Sequence, residues 1–152
     1  MSGRDTPRSE SALAGRCHCG NIEVALETGL RAEELPLRAD TCSFCRKHGA
    51  RTASDPDGRM LITIRDPGEL LRYRFGMRTA DFLVCRRCGI YVAAVIFEGG
   101  STRATLNVNT LDAVDRLARP ATPVSYDGES VAERAARRKE RWTPAVIVEG
   151  RR

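Results

Sequence analysis

Apolar and polar positions along this chain alternate in short runs that predict strands. Ile22, Val24 and Leu26 recur every second residue across 21–27, the period of a strand with one buried face. A preceding strand is expected over residues 14–19, with Gly20-Asn21 as the turn between the two. A short strand over 37–42 leads into a helical turn over 43–49, which Gly49 closes. Five more strands are expected, over 60–65, 70–75, 79–85, 89–97 and 101–107. Pro- and Gly-bearing turns at 54–58 and 66–68 punctuate them. The run 91–97 is the most apolar of all and belongs in the middle of a sheet.

The pattern changes after residue 118. Residues 127–142 are rich in strong helix formers. Ser130 with Glu133 forms a capping box, and Thr143-Pro144 stops a helix expected over about 129–141. The expected division is a disordered arm over 1–11, a β domain over 12–118 and a C-terminal extension over 119–152. The fold class is mainly β, with antiparallel sheets, short helical turns and one C-terminal helix.

Composition narrows this only a little. A chain of 152 residues with 41% hydrophobic content is long enough to bury one real core. A net charge of +5 suits an anionic small molecule as well as nucleic acid. No apolar run reaches the roughly 18 to 20 residues of a membrane helix, and the first residues lack a secretory apolar segment. The expected location is the cytoplasm, where thiols stay reduced.

The cysteines carry the chemistry. All six fall in close pairs: Cys17/Cys19, Cys42/Cys45 and Cys85/Cys88. Cys17-His18-Cys19 on an extended strand puts both sulfurs on one face and His18 on the other. Cys85 to Gly89 is a CxxC knuckle before glycine. Together Cys17, Cys19, Cys85 and Cys88 supply the four thiolates of a structural zinc site. An inter-pair disulfide or buried free thiols are the competing readings, and a reducing compartment argues against the first.

Cys42 and Cys45 need other donors. Asp40 shares a face with Cys42 if the stretch is extended, giving three ligands and an open fourth position, the pattern of a catalytic zinc. His48 is a competing third ligand, and a redox CxxC at a helix start is a reading without metal. Arg46, Lys47 and His48, with Arg51, place positive charge and a titratable ring beside the pair. This favours an anionic co-substrate or forms an ordinary solvated turn.

Three stretches together resemble the glutathione-dependent formaldehyde-activating enzyme family, which shares its domain with centromere protein V. They are Gly15-Arg16-Cys17-x-Cys19-Gly20, Cys42-Ser43-x-Cys45-Arg46-Lys47-x-Gly49 and Phe82-x-x-Cys85-x-x-Cys88-Gly89, and the match spans about residues 12–109. The resemblance implies a zinc-bound "β-tent" fold, with Cys17, Cys19, Cys85 and Cys88 as structural ligands. It implies that Cys42 and Cys45 serve a second zinc tied to glutathione. Where the family carries a third cysteine two positions before the first of these, this chain has Asp40. The implied activity is carbon–sulfur lyase chemistry on an S-hydroxyalkyl adduct of a thiol and an aldehyde.

Weaker signals complete the picture. Asn107 and Asn109 are pocket candidates or, more simply, hydrogen-bonding residues at a strand end. Tyr126 and Asp127 are substrate contacts or a packed ring with a capping acid. Arg134, Arg137, Arg138, Lys139 and Arg141 form a nucleic-acid footprint, a carboxylate-binding arm or a solvated face above Val131, Ala135 and Trp142. No aromatic series accompanies these charges, which argues against nucleic acid. The expected partner is a small thiol or aldehyde, and a homodimer is compatible with the sequence. A zinc-stapled binding module and a CxxC redox switch are the alternative functions.

Overall fold

The computed structural model describes residues 12–150, so the arm expected over 1–11 lies outside the described residues. The fold is mainly β. Among the described residues, eleven strands form one mixed, branched sheet, accompanied by two α-helices and four short 3-10 turns.

One half of the sheet contains β1 (Ala12–Arg16), β2 (Ile22–Glu27) and β5 (Arg59–Ile64), paired antiparallel in that order. Its two-residue periodicity is real. Leu13, Ile22, Val24, Leu26, Met60, Ile62 and Ile64 all point into the main core, while their neighbours face outward. Each fully buried aliphatic side chain of this kind contributes roughly 1.5–3 kcal/mol. Gly15 is fixed by a close approach. A Cβ there would overlap the carbonyl of Thr110, and Gly15 pairs across a bridge with Leu111.

The other half holds β3 (Leu37–Asp40), β4 (Thr52–Ala53), β6 (Leu70–Tyr73), β7 (Asp81–Cys85), β8 (Tyr91–Glu98), β9 (Ser101–Asn107) and β10 (Ala121–Val124). β8 lies between β7 and β9 and is buried on both faces, which explains its unbroken apolar run. The β7–β8 register shifts between Leu83 and Val84, so that β8 carries one extra residue. After this irregularity Ala94 and Ile96 lie on the same side as Tyr91, in a second, smaller core with Cys45, Ala50, Ala80 and Trp142.

The two halves meet at β11 (Thr143–Glu149). Ala145–Glu149 runs parallel to β5, and Thr143-Pro144 pairs antiparallel with β9. β10 lies parallel to β3 at an edge. These two parallel pairs make the sheet mixed, and the remaining pairs are antiparallel, in keeping with the mainly antiparallel expectation. In both parallel pairs the partners are far apart in sequence and joined by a long connection instead of a hairpin, as parallel pairing requires. Residues 119–150 are thus woven into the same sheet as the rest.

Helix α1 (Ser43–His48) ends at Gly49, whose φ of 62° places it in the left-handed region that glycine tolerates. Helix α2 (Val131–Arg141) starts at the expected capping box: Ser130 Oγ accepts from Glu133 N, and Glu133 Oε1 accepts from Ser130 N. No helix among the described residues is long and apolar enough to cross a membrane.

Candidate metal centres

Cys17, Cys19, Cys85 and Cys88 converge, with all four sulfurs within 4.8 Å of one another. Cys17 Sγ is 3.8 Å from Cys19 Sγ, which is 3.5 Å from Cys85 Sγ. Four thiolates about 2.3 Å from a tetrahedral zinc stand about 3.8 Å apart, so the donor set fits that ion. All six cysteines are unbridged, as a metal site requires and a disulfide would not allow.

The convergence arises differently from the sequence expectation. β1 stops at Arg16, so Cys17 and Cys19 do not share the face of a strand. They lie in a turn, closed by Gly20 N donating to Cys17 O (3.1 Å) and Cys17 N to Ile22 O (2.9 Å). His18 is exposed, as expected. Backbone amides support the sulfurs: Ile22 N donates to Cys17 Sγ and Cys88 N to Cys85 Sγ. Burial pushes the Cys17 thiol up and the Cys85 thiol up to about 12. Cys88 is also partly desolvated, but hydrogen bonds at Cys19 and Ile90 and from the neighbouring thiols bring it down to about 6. A metal ion would hold all four deprotonated.

The second cluster is Asp40, Cys42 and Cys45, whose donor atoms also lie within 4.8 Å of one another. Asp40 is the last residue of β3, Cys42 is the N-cap of α1 and Cys45 lies in its first turn. Asp40 Oδ1 accepts from Cys42 N at 2.9 Å, which holds the carboxylate against the sulfurs. Cys42 Sγ accepts from Cys45 N at 3.4 Å. Burial, and then the charges of Cys42 and Asp40, push the Cys45 thiol up. One carboxylate and two sulfurs suit zinc and leave one tetrahedral position without a protein donor.

This cluster forms part of the wall of a cleft of about 210 Å³. Across it stand the β6–β7 connection (Phe75, Gly76, Met77, Thr79), the ring of Tyr91, and the inward side of α2 with Trp142. Tyr91 is buried, and desolvation followed by the charges of Cys45, Cys42 and Asp40 raises its phenol well above the usual range. It therefore stays protonated at neutral pH.

Four arginines line the same cleft: Arg38, Arg134, Arg137 and Arg138. Arg38 was not singled out in the sequence, although it lies two residues before Asp40 and so shares its face of β3. The helix arginines correct the picture of a solvated basic face. Arg138 is buried and Arg134 and Arg137 are mostly covered, while Val131, expected to pack on the sheet, is 56% exposed. Spacing contained the signal. Positions 134, 137 and 138 form an i, i+3, i+4 stripe of the kind that normally faces inward, while Lys139 and Arg141 are exposed.

Arg46, Lys47 and His48 are exposed on α1 and outside the cleft lining. Arg46 Nε donates to Thr41 O, and the His48 ring packs against Phe44, with centroids 4.5 Å apart. His48 is not among the clustered donors, and Asp40 is the third donor beside the two cysteines. Asn107 and Asn109 are structural: Asn107 Nδ2 donates to Tyr91 O, and Asn109 binds Arg51 Nε and Gly49 O. Tyr126 and Asp127 line the cleft, with the Arg137 guanidinium 3.4 Å above the Tyr126 ring, and the helix cap is Ser130 instead of Asp127.

No family model matches this chain, and no curated protein matches it. Among solved structures, a Rhodobacter sphaeroides protein determined as a structural-genomics target aligns with a TM-score of 0.53 at 33% identity. The alignment covers 73% of this chain and 99% of the other. The two chains belong to one family. This relation covers the fold; the name given to the Rhodobacter structure states no activity, so the chemistry must come from the site.

Proposed function

We propose that this protein is a zinc-dependent enzyme of carbon–sulfur lyase type that acts on the adduct of a thiol and an aldehyde. The observation that carries the reading is the three-donor cluster of Asp40, Cys42 and Cys45 opening on a cleft, while a separate four-thiolate cluster serves the framework. A four-donor set is closed to substrate, and a three-donor set leaves room for one. The resemblance of the cysteine motifs to the formaldehyde-activating family supplies the substrate type, with glutathione as the candidate thiol.

The reaction is redox-neutral. In R–S–CH2–OH the hydroxyl loses its proton, the C–S bond breaks with its electron pair on sulfur, and a C=O bond forms. The departing thiolate takes up that proton to give the free thiol. Zinc bound here would stabilise the departing sulfur as thiolate or polarise the carbonyl oxygen. Asp40 and the two cysteines would bind that ion. Tyr91, kept protonated by its surroundings, offers its Oη proton to an oxygen in the cleft. Phe75, Phe82 and Trp142 line the cleft with apolar surface that limits access of water.

Release of formaldehyde from S-hydroxymethylglutathione, followed against the spontaneous rate, tests this. Wild type is expected to accelerate it, and Cys42→Ser to lose the acceleration by about 10²-fold or more. Equal rates with and without protein would overturn the reading.

A further inference from the structure

Arg38 and Arg138 differ from the other cleft arginines. Arg134 and Arg137 are both held by Glu129, at 3.1 and 2.7 Å. Among the described residues, Arg38 and Arg138 have no carboxylate within ion-pair distance. Arg138 is only 8% exposed; Nη1 donates to Thr79 Oγ1 at 2.8 Å, and the guanidinium lies 5.0 Å from the Trp142 ring. Its Nε is buried with no acceptor. Arg38 Nη2 donates to the hydroxyls of Ser54 and Thr105, and both are neutral groups. A buried guanidinium without an anion is costly, and a buried N–H without an acceptor adds to that cost. Such an arrangement persists where an incoming ligand completes it.

We propose that Arg138 and Arg38 form a receptor for an oxyanion head group, a carboxylate or a phosphate, on the substrate whose sulfur end reacts at Asp40, Cys42 and Cys45. The substrate class is then an anionic thiol adduct, which rests on the catalytic reading of that cluster. Guanidinium suits this role because its fork presents parallel N–H donors to two oxygens at once. Trp142 and Thr79 fix the Arg138 side chain before the ligand arrives, so little freedom is lost on binding. The rival explanation is that both arginines only balance the negative donor set, since Asp40 acts on both through its field.

Two thiol probes on the zinc-loaded protein separate these ideas: 3-mercaptopropionate and its neutral counterpart 3-mercaptopropan-1-ol. The acid is expected to bind about tenfold tighter or more, the worth of a charge-assisted hydrogen bond. Arg138→Met is expected to abolish that preference and leave the affinity of the alcohol unchanged. Arg38→Gln is the second variant, should Arg138→Met fail to fold. Propionate and inorganic phosphate, titrated while the Arg138 Nε–H resonance is followed, identify the head group by the larger shift. The same titration in Cys42→Ser needs no thiol chemistry, so a shift there sustains the receptor even if the lyase reading fails. Equal binding of acid and alcohol by wild type, a preference retained in both variants, or an Nε–H signal unmoved by either anion would overturn the proposal.

Discussion

Glu129 holds two of the arginines that line the cleft. Its carboxylate accepts from Arg134 Nε and from Arg137 Nε and Nη2, and Arg134 Nη2 reaches Tyr126 O. Hydrogen bonds from Arg137, and then Arg134, outweigh desolvation and hold the Glu129 carboxyl below the ordinary value. A depressed folded-state pKa stabilises the fold above the unfolded value and ceases to do so as pH falls through the folded value. Glu129→Gln is therefore expected to destabilise the protein by about 1–2 kcal/mol near neutrality. That gap should begin to narrow once pH falls below the ordinary glutamate value of about 4.3 and close only below the depressed folded value. Urea melts of both proteins at pH 7 and pH 3.5 check this, and a gap of the same size at both would contradict it. At this scale the sequence was legible where one residue type answers one need, as with the six paired cysteines or Gly49. It was illegible for Arg38, which no motif marks, and only partly legible for Arg138, since a carboxylate-binding arm stood beside a solvated face among the readings of the basic helix. Arg46, Lys47 and His48 show the converse: nearness in sequence to Cys45 suggested a binding role, yet they lie on the exposed side of α1, outside the cleft lining.

At the scale of elements, periodicity located β2, β5, β7, β8 and β9 because each carries a buried face or lies between neighbours. It missed the two-residue β4, and at two other places it failed for identifiable reasons. Cys17 to Gly20 looks like a strand continuing from β1, but the bonds to Ile22 and Gly20 fold it into a turn. Strands β10 and β11 were missed because each contains a proline, Pro123 and Pro144. Proline is tolerated at edges and at strand starts, which are the positions these two occupy. β11 matters most, for it bonds to β5 on one stretch and to β9 on another and joins the halves of the sheet. Truncation after residue 142 is accordingly expected to leave a chain without cooperative thermal unfolding, although it removes only eight described residues beyond Trp142. A truncated protein that melts as sharply as the full chain would show that β11 is dispensable.

For the whole molecule, the two cysteine clusters have different positions and different consequences. The Cys17/Cys19/Cys85/Cys88 group ties the turn after β1, in one half of the sheet, to the end of β7 in the other, supplementing the join at β11. Structural zinc in small peptides binds with about 10–16 kcal/mol, enough to dominate the stability of a domain this size. The Asp40/Cys42/Cys45 group holds no such halves together. It sits where β3 runs into α1 and faces a cleft floored by the second core. The fold class and the four-thiolate framework could be derived from spacing alone. The cleft could not, because it is assembled from β3, α1, the β6–β7 connection and α2, which only the folded chain brings together.

The central claim is that two metal sites exist and that the second is open. Zinc content per chain, measured on freshly purified wild type and Cys42→Ser, tests it most directly. Two ions in wild type falling to one in the variant is the expected result; one ion in both would contradict the account.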